Sequence, residues 1–220
     1  QDYEQALKWY KRSASQGNAN AQYRLGKLLT TGSVVEKNES EAFTMFLLSA
    51  RQGNAKAQYR LGEAFREGRG TNQNYERAVS SLTEAAEQGI AHAQNSLAIL
   101  YSNGQGTEVN KEKAFQWFLA AAKQGVRQAQ FNAGALYSRG VGVEQDYEQA
   151  LRWYQIAAEQ GSAKAQYNLA NLLKTGRGTE VNQEKAFQWF LEAAKQGLRQ
   201  AQYSAGSGYD KGIGVEQDYE

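Results

Sequence analysis

The residues of this sequence that could carry chemistry recur at regular intervals. Gly-x-Gly occurs at 68–70, 104–106, 140–142, 176–178 and 212–214. Such a loop cradles a phosphate when a strand precedes it and the amides of a following helix point at the anion. These glycines instead follow a helical pattern and return in five successive units. The pattern therefore indicates repeated turns and not a nucleotide site.

Metal and acid–base chemistry have few candidates. His92 is the single histidine and cysteine is absent, which leaves no ligand set for zinc and no histidine-dependent nucleophile. Glu87, Glu159 and Glu192 are possible catalytic carboxylates, but the helical pattern places them on polar faces beside basic residues. We therefore predict a protein that is not an enzyme, with no catalytic residue, metal or cofactor.

The elements that carry these residues repeat every 36 residues without gaps. A Gln-Gly pair recurs at 16–17, 52–53, 88–89, 124–125, 160–161 and 196–197, and an Ala-Gln pair follows each of them. The sequence thus predicts six tandem repeats at 1–36, 37–72, 73–108, 109–144, 145–180 and 181–216. Residues 217–220 repeat the first four residues, so they are expected to begin a truncated seventh repeat.

Each repeat has the pattern of two helices. The first, helix A, begins after a capping residue, shows apolar residues at helical spacing and ends at the Gln-Gly glycine; helix B follows and ends at a second glycine. The six capping residues are Asp2, Asn38, Asn74, Asn110, Asp146 and Asn182. Glu41 is predicted to complete a capping box with Asn38. Proline is absent, and no segment alternates with a period of two, so no strand is predicted.

Small and large residues alternate in phase, which indicates how the helices pack. Helix B carries glycine or alanine at Gly26, Gly62, Ala98, Gly134, Ala170 and Gly206, and helix A carries a large residue at Tyr10, Phe46, Leu82, Phe118, Tyr154 and Phe190. Each unit is expected to bury its neighbour's face in this way. The fold class is therefore predicted as all-α, a right-handed superhelix (solenoid) of helix–turn–helix repeats. The glutamine of every Ala-Gln pair is expected to bond the backbone of an adjacent turn.

The combined pattern A…WY…AA.QG…AQ..LG.LY..G.G resembles the Sel-1-like repeat family, a relative of the tetratricopeptide repeats. The sequence departs from that pattern at Val34, at Ser81 in place of a bulky residue and at Gly208 in place of a leucine. The resemblance implies an adaptor protein, in bacteria often exported, virulence-associated or host-interacting, and so favours a periplasmic or secreted location. The cysteines of the family's disulfide-bridged branch are missing.

Positions that differ between repeats are those free to recognise a partner. On the outward side of helix A these side chains follow no common rule, and in related solenoids helix A lines the concave face. We therefore predict a scaffold that binds a protein or peptide there, with arginine and tryptophan as energetic anchors. The candidate partner-binding residues are Lys8, Trp9, Arg12, Leu48, Trp117, Arg152, Trp153, Ile156 and Trp189. For the four tryptophans a position in the core is the favoured interpretation, and a partner contact is the alternative.

Two other functions are weighed against the scaffold. Nucleic-acid binding requires basic or stacking residues in phase, but Glu41, Glu84 and Glu192 interrupt any phosphate track and the net charge is only +2. A cell-wall hydrolase requires a deep pocket with perturbed carboxylates. We predict neither a nucleic-acid partner nor membrane insertion, since no apolar stretch reaches about 18 residues. Uncapped terminal repeats predict end-to-end self-association.

Overall fold

A computed structural model of the chain describes residues 3–213. In this range it contains twelve helices and no strand, which confirms the all-α prediction. The A helices are α1 (Tyr3–Ser15), α3 (Glu39–Arg51), α5 (Tyr75–Glu87), α7 (Lys111–Lys123), α9 (Tyr147–Glu159) and α11 (Gln183–Lys195). The B helices are α2 (Ala19–Thr31), α4 (Ala55–Glu67), α6 (Ala91–Asn103), α8 (Arg127–Arg139), α10 (Ala163–Thr175) and α12 (Arg199–Asp210). Within residues 3–213, none of these helices has the length and apolarity needed to cross a membrane.

The chain divides into two compact units, Gln1–Asn110 and Lys111–Glu220. The first contains α1 to α6 and the second α7 to α12, so each holds three helix pairs. Inside each unit every helix packs against the next one along the chain. This serial packing of antiparallel neighbours is the architecture of a solenoid, in which a helix pair buries its apolar face only against adjacent pairs.

The predicted capping residues begin the A helices. The side-chain oxygens of Asn38, Asn74, Asp146 and Asn182 each accept a backbone N–H three residues on, at 2.9–3.0 Å; Asp2 lies outside the described residues. The capping box predicted for Asn38 and Glu41 is wrong, because the Asn38 N–H donates to the Leu29 carbonyl at 3.0 Å. That bond ties the start of α3 to the end of α2 and takes the amide that the glutamate side chain would need.

The two glycines of the Gly-x-Gly loop are required for different structural reasons. Gly104 closes α6 in the left-handed region, at φ 69°. Gly106 has φ +71°, and a Cβ built on it would lie 2.3 Å from the carbonyl carbon of Tyr75. The loop therefore crosses directly over the first turn of helix A in the same repeat. Val34 stands at the equivalent place in the first repeat, and no described residue other than glycine has a positive φ, so that loop takes another conformation.

The alternation of small and large residues forms the core, as predicted. A Cβ on Gly26 would lie 2.7 Å from the Phe46 ring, and one on Gly134 would lie 2.8 Å from the Tyr154 ring. The small residue of one helix B thus receives the large residue of the next helix A. Tyr154 is only 3% exposed, and its burial raises the pKa of its phenol to about 12.

Candidate protein-binding surface

The candidate residues lie on the solvent side of the A helices. We call the side chains at Gln5, Lys8, Trp9 and Arg12, together with their equivalents in the other repeats, the A face. Among the candidates Lys8, Arg12 and Arg152 are exposed, and the apolar residues Trp9, Leu48 and Ile156 are exposed by 58%, 38% and 39%. An isolated exposed leucine is ordinary. Here, however, the apolar groups recur on one side of the A helices and alternate with charges.

The tryptophans divide between core and surface. Trp117, Trp153 and Trp189 are half-buried. Trp189 packs against a core cluster that contains Tyr154 and Leu169 and against another that contains Phe190, while its outer edge borders an open surface hollow with Gln188 and Glu192. Trp189 therefore serves the core with one edge and the A face with the other.

Trp9 is the most open of the four tryptophans. The Arg12 guanidinium lies 5.8 Å from the centre of its ring, within the range of a cation–π contact. This contact holds an arginine and a tryptophan together on the surface of α1. These two residue types are the commonest energetic anchors of protein interfaces.

A glutamine lies in the first turn of each helix B. In five of the six repeats the side-chain amide donates to the carbonyl eight residues earlier, at 3.1–3.5 Å; the donors are Gln22, Gln94, Gln130, Gln166 and Gln202. The accepting carbonyls belong to the last turn of helix A, where intrahelical donors run out. The predicted bond to an adjacent turn is thus confirmed in these repeats.

A second bond links four of the Ala-Gln glutamines to the following repeat. The glutamine of the next Gln-Gly pair donates its side-chain amide to the Oε1 of the buried one at 2.6–2.9 Å, in the pairs Gln52 to Gln22, Gln88 to Gln58, Gln160 to Gln130 and Gln196 to Gln166. We call these linked amides the glutamine ladder. Sequence reasoning missed this bond, although both glutamines recur in all six repeats.

Gln58 is the exception in the ladder. Its amide donates to a carboxylate oxygen of Glu84 at 2.6 Å, and not to the Ala50 carbonyl eight residues earlier. The change coincides with Ser81, which occupies the place of a tryptophan or methionine in the other repeats. An opening of about 330 Å³ lies there, lined by Ser81, Glu84, Gln58, Leu61, Ala50, Arg51 and Gly53. We call this opening the Ser81 notch.

The residues weighed for catalysis are not brought together. His92 is exposed, and its ring stacks on the ring of Tyr59 with the ring centres 6.2 Å apart. Glu192 accepts a bond from Lys195 at 2.6 Å, which raises the pKa of that lysine, and Glu159 accepts one from Gln155. Within residues 3–213 no three histidine, aspartate or glutamate side chains lie close enough to hold a metal ion.

Comparison with protein families gives one match that spans the chain. The family described as Sel1 repeat matches residues 1–18, 19–54, 55–90, 91–126, 127–162, 163–198 and 199–220. The five matches between residues 19 and 198 each run from one helix B through the next helix A, so they are offset by half a repeat from the units delimited above. Comparison with curated proteins gives no match.

Solved structures similar to this chain include proteins of the same repeat family. The structure of a protective antigen present in uropathogenic Escherichia coli strains, with an SLR fold, has 36% identity and a TM-score of 0.91 over 97% of this chain and 46% of that chain. A Sel1 repeat protein from Oxalobacter formigenes has 35% identity and a TM-score of 0.85 over 99% of this chain and 87% of that chain. This chain thus spans less than half of the Escherichia coli protein. A Klebsiella pneumoniae structure at 22% identity and TM-score 0.52 shares the fold alone.

Proposed function

Since this chain belongs to the Sel1 repeat family, whose members are generally protein-interaction scaffolds and typically not catalysts, we propose that it binds a partner protein or peptide on the A face. The observation that carries the proposal is the recurrence of Trp9, Leu48 and Ile156 as exposed apolar groups at positions that vary between repeats. Apolar anchors within a polar rim are typical of a recognition surface.

The glutamine ladder supports this role by holding the surface in one geometry. Its members Gln22, Gln130 and Gln166 are 3–5% exposed and bond both their own repeat and the next. A surface fixed before binding loses less conformational entropy on association, so fewer contacts suffice for a given affinity. In this proposal the ladder glutamines maintain the structure, and the variable residues of the A face contact the partner.

The chemistry of the A face indicates what kind of partner fits. In the second unit the exposed side chains of Arg152 and Ile156 lie one turn apart on α9. This pair suits an apolar side chain flanked by an acidic one. In the first unit the Ser81 notch offers space for one inserted side chain, with the Glu84 carboxylate at its edge. A lysine or arginine suits that position because its stem is apolar and its head is cationic.

The experiment is a selection from a displayed peptide library, followed by fluorescence-anisotropy titration of the enriched peptides. The double substitution Arg152→Glu with Ile156→Glu reverses one charge and replaces an apolar side chain by an acidic one. It is expected to weaken binding of an acidic peptide to the second unit at least about tenfold, since loss of one anchor costs about 1.4 kcal/mol or more. The matched control changes two exposed helix B residues, Arg24→Ala and Lys164→Ala. Equal losses in both variants, with helicity retained, would refute an A-face site.

Ser81→Trp provides a second test that needs no charge change. It restores the residue type found at this place in four repeats and fills the notch, so folding should be retained. Selected peptides that bind the first unit are expected to lose affinity for this variant. Peptides that bind the second unit are expected to keep theirs. Unchanged binding of every selected peptide would remove the notch from the proposed site.

We also propose self-association through α12. Phe131 and Tyr167 hold the position of Tyr203 in the two preceding repeats. They pack against Tyr154 and Phe190, with ring centres 6.0 and 5.6 Å apart. Tyr203 itself, on α12, is 80% exposed. Light scattering over a hundredfold concentration range is expected to show a rising mass that Tyr203→Lys abolishes. A constant mass for the wild type would refute the proposal.

An exported, host-interacting role in a bacterium is the broader setting that we propose. It rests on the 36% identity to a protein described as a protective antigen of uropathogenic Escherichia coli. Fractionation of the source cells with antibody detection would place the protein, and a purely cytoplasmic signal would contradict this setting without affecting the A-face proposal.

A further inference from the structure

A cavity away from the A face opens between α2, α3 and α4. It has a volume of about 220 Å³, somewhat more than the roughly 150 Å³ of an engineered cavity that binds benzene. Its apolar wall is made by Ala42, Phe43, Phe46 and Ala64, and charged side chains of Lys37, Glu39, Arg60, Glu63 and Arg69 surround its mouth. An apolar wall with a few convergent polar groups is the usual composition of a small-ligand site.

Ala64 is the reason that the cavity exists. The equivalent residue is leucine in four repeats, at Leu28, Leu100, Leu136 and Leu172. The sixth repeat has Gly208 at this place, but there the Phe187 ring lies 2.4 Å from where a Cβ would stand, and the corresponding cavity is only about 90 Å³. In the second repeat the Phe43 ring makes an edge-to-face contact with Phe65 at 5.3 Å, and the space that a leucine side chain would fill at Ala64 is open.

The charges at the mouth leave one cation without an acidic partner. Lys37 pairs with Glu39 at 2.7 Å, which lowers the pKa of that carboxyl, and Arg66 binds Glu63 through two nitrogens. Arg69 shares the Glu67 carboxylate with Arg66. In the described part of the chain Arg60 forms no ion pair, and its guanidinium rests on the Tyr59 ring at 5.7 Å.

We propose that this cavity binds a small monocarboxylate with an apolar body the size of one aromatic ring. The ring would fill the space beside Phe43, Phe46 and Ala64, and the carboxylate would face the Arg60 guanidinium at the mouth. Arginine suits this role because its planar guanidinium can donate two parallel hydrogen bonds to a carboxylate. The site is independent of the A face, so its failure would leave the protein-binding proposal unchanged.

Ligand-observed NMR on the full chain tests the proposal with 3-phenylpropanoate and its uncharged analogue 3-phenylpropanol. The acid is expected to bind at millimolar concentration or better, and at least about tenfold more tightly than the alcohol, which corresponds to about 1.4 kcal/mol, because only the carboxylate forms a charge-assisted hydrogen bond with Arg60. Absence of acid binding, or equal binding of acid and alcohol, would overturn the proposal.

Two variants locate the site, and each keeps the chain foldable. Ala64→Leu installs the leucine of four other repeats and should abolish binding of both compounds with helicity unchanged. Arg60→Gln should weaken the acid about tenfold and leave the alcohol unaffected. Arg24→Gln, which changes the equivalent arginine of the first repeat beside Leu28, is the matched control and should bind as wild type does. Acid binding that survives Ala64→Leu would overturn the assignment.

A carboxylate close to an aromatic ring occurs in a free aromatic acid and also in the last residue of a peptide that ends in phenylalanine. A tetrapeptide that ends in phenylalanine with a free carboxylate separates the two sources. Its binding, with loss on amidation of the terminus, would identify a peptide C-terminus as the ligand. Binding of 3-phenylpropanoate alone would identify a free acid, and either result supports the cavity as a carboxylate site.

Discussion

Gly106→Ala and Gly89→Ala give the sharpest test of how the turns are built. Both glycines belong to the third repeat and both have left-handed backbone, at φ +71° and +85°. An alanine in this conformation costs about 1–2 kcal/mol, offset by up to about 1 kcal/mol because alanine also restricts the unfolded chain. These two contributions are common to both sites and cancel in the difference.

The surroundings of the new methyl group separate the two variants. A Cβ at Gly89 would meet no atom within 4 Å, whereas one at Gly106 would lie 2.3 Å from the backbone of Tyr75 and 2.6 Å from the amide nitrogen of Glu76. Backbone atoms of a helix cannot move aside as a flexible side chain can, and overpacking of this kind costs about 1–3 kcal/mol. We therefore expect Gly106→Ala to lower the free energy of unfolding by about 1–3 kcal/mol more than Gly89→Ala does.

Urea unfolding followed by far-ultraviolet circular dichroism measures this difference, with the denaturant slope checked to be the same in both variants. Equal loss of stability, within about 0.5 kcal/mol, would refute the argument that the second glycine of Gly-x-Gly is required by close backbone approach. In that case its left-handed conformation alone would account for its recurrence.

Other predictions concern single groups. Gln166→Met should destabilise by about 1–3 kcal/mol in urea unfolding, because Gln166 is buried with bonds in both directions, whereas the control Gln202→Met at an exposed position should cost less than about 0.5 kcal/mol; equal costs would contradict the ladder. Asn95→Tyr should stabilise by about 1 kcal/mol, since the buried Asn95 Oδ1 has no hydrogen-bond partner within residues 3–213; a lower melting temperature would disprove this. Burial raises the pKa of Tyr154 to about 12 from its ordinary value of 10.0, so the folded state binds more protons than the unfolded state between these values and stability falls as pH rises from 10 to 12. Tyr154→Phe should lessen that fall in urea midpoints measured at pH 9 and pH 12, and an identical pH dependence would refute the assignment.

The elements of the fold follow from local patterns in the sequence. Capping residues such as Asn74, helix-ending glycines such as Gly104 and the alternation of Gly26 with Phe46 act over a few residues or between neighbouring repeats, and they recur six times in phase. Local hydrogen bonding and steric exclusion are sufficient to place the helices. The pattern of one repeat therefore predicts the helices of the other repeats, and the prediction of an all-α solenoid was confirmed.

Errors arose where two local rules competed for one group. The capping box of Asn38 and Glu41 matched its sequence pattern, but the Asn38 amide bonds the preceding helix B instead. Each buried glutamine was expected to bond the backbone of an adjacent turn, and the second bond that four of them accept from the next repeat was missed. The pattern of one repeat does not show which donor reaches an acceptor thirty residues away, because the packing of the helices sets the distance in space between the two groups.

What the sequence by itself determined is the repeat, its helices, its turns and the set of variable A-face positions, because these depend on short-range spacing. Only the tertiary structure decided how substitutions within the repeat are absorbed. Ser81 lies at a notch beside which Gln58 bonds Glu84, Gly208 lies directly against the Phe187 ring, and Ala64 lines a cavity bordered by Arg60. The physical reason is that a missing side chain is either refilled or left as space according to which neighbours can reach it, and that reach is a property of the packed helices.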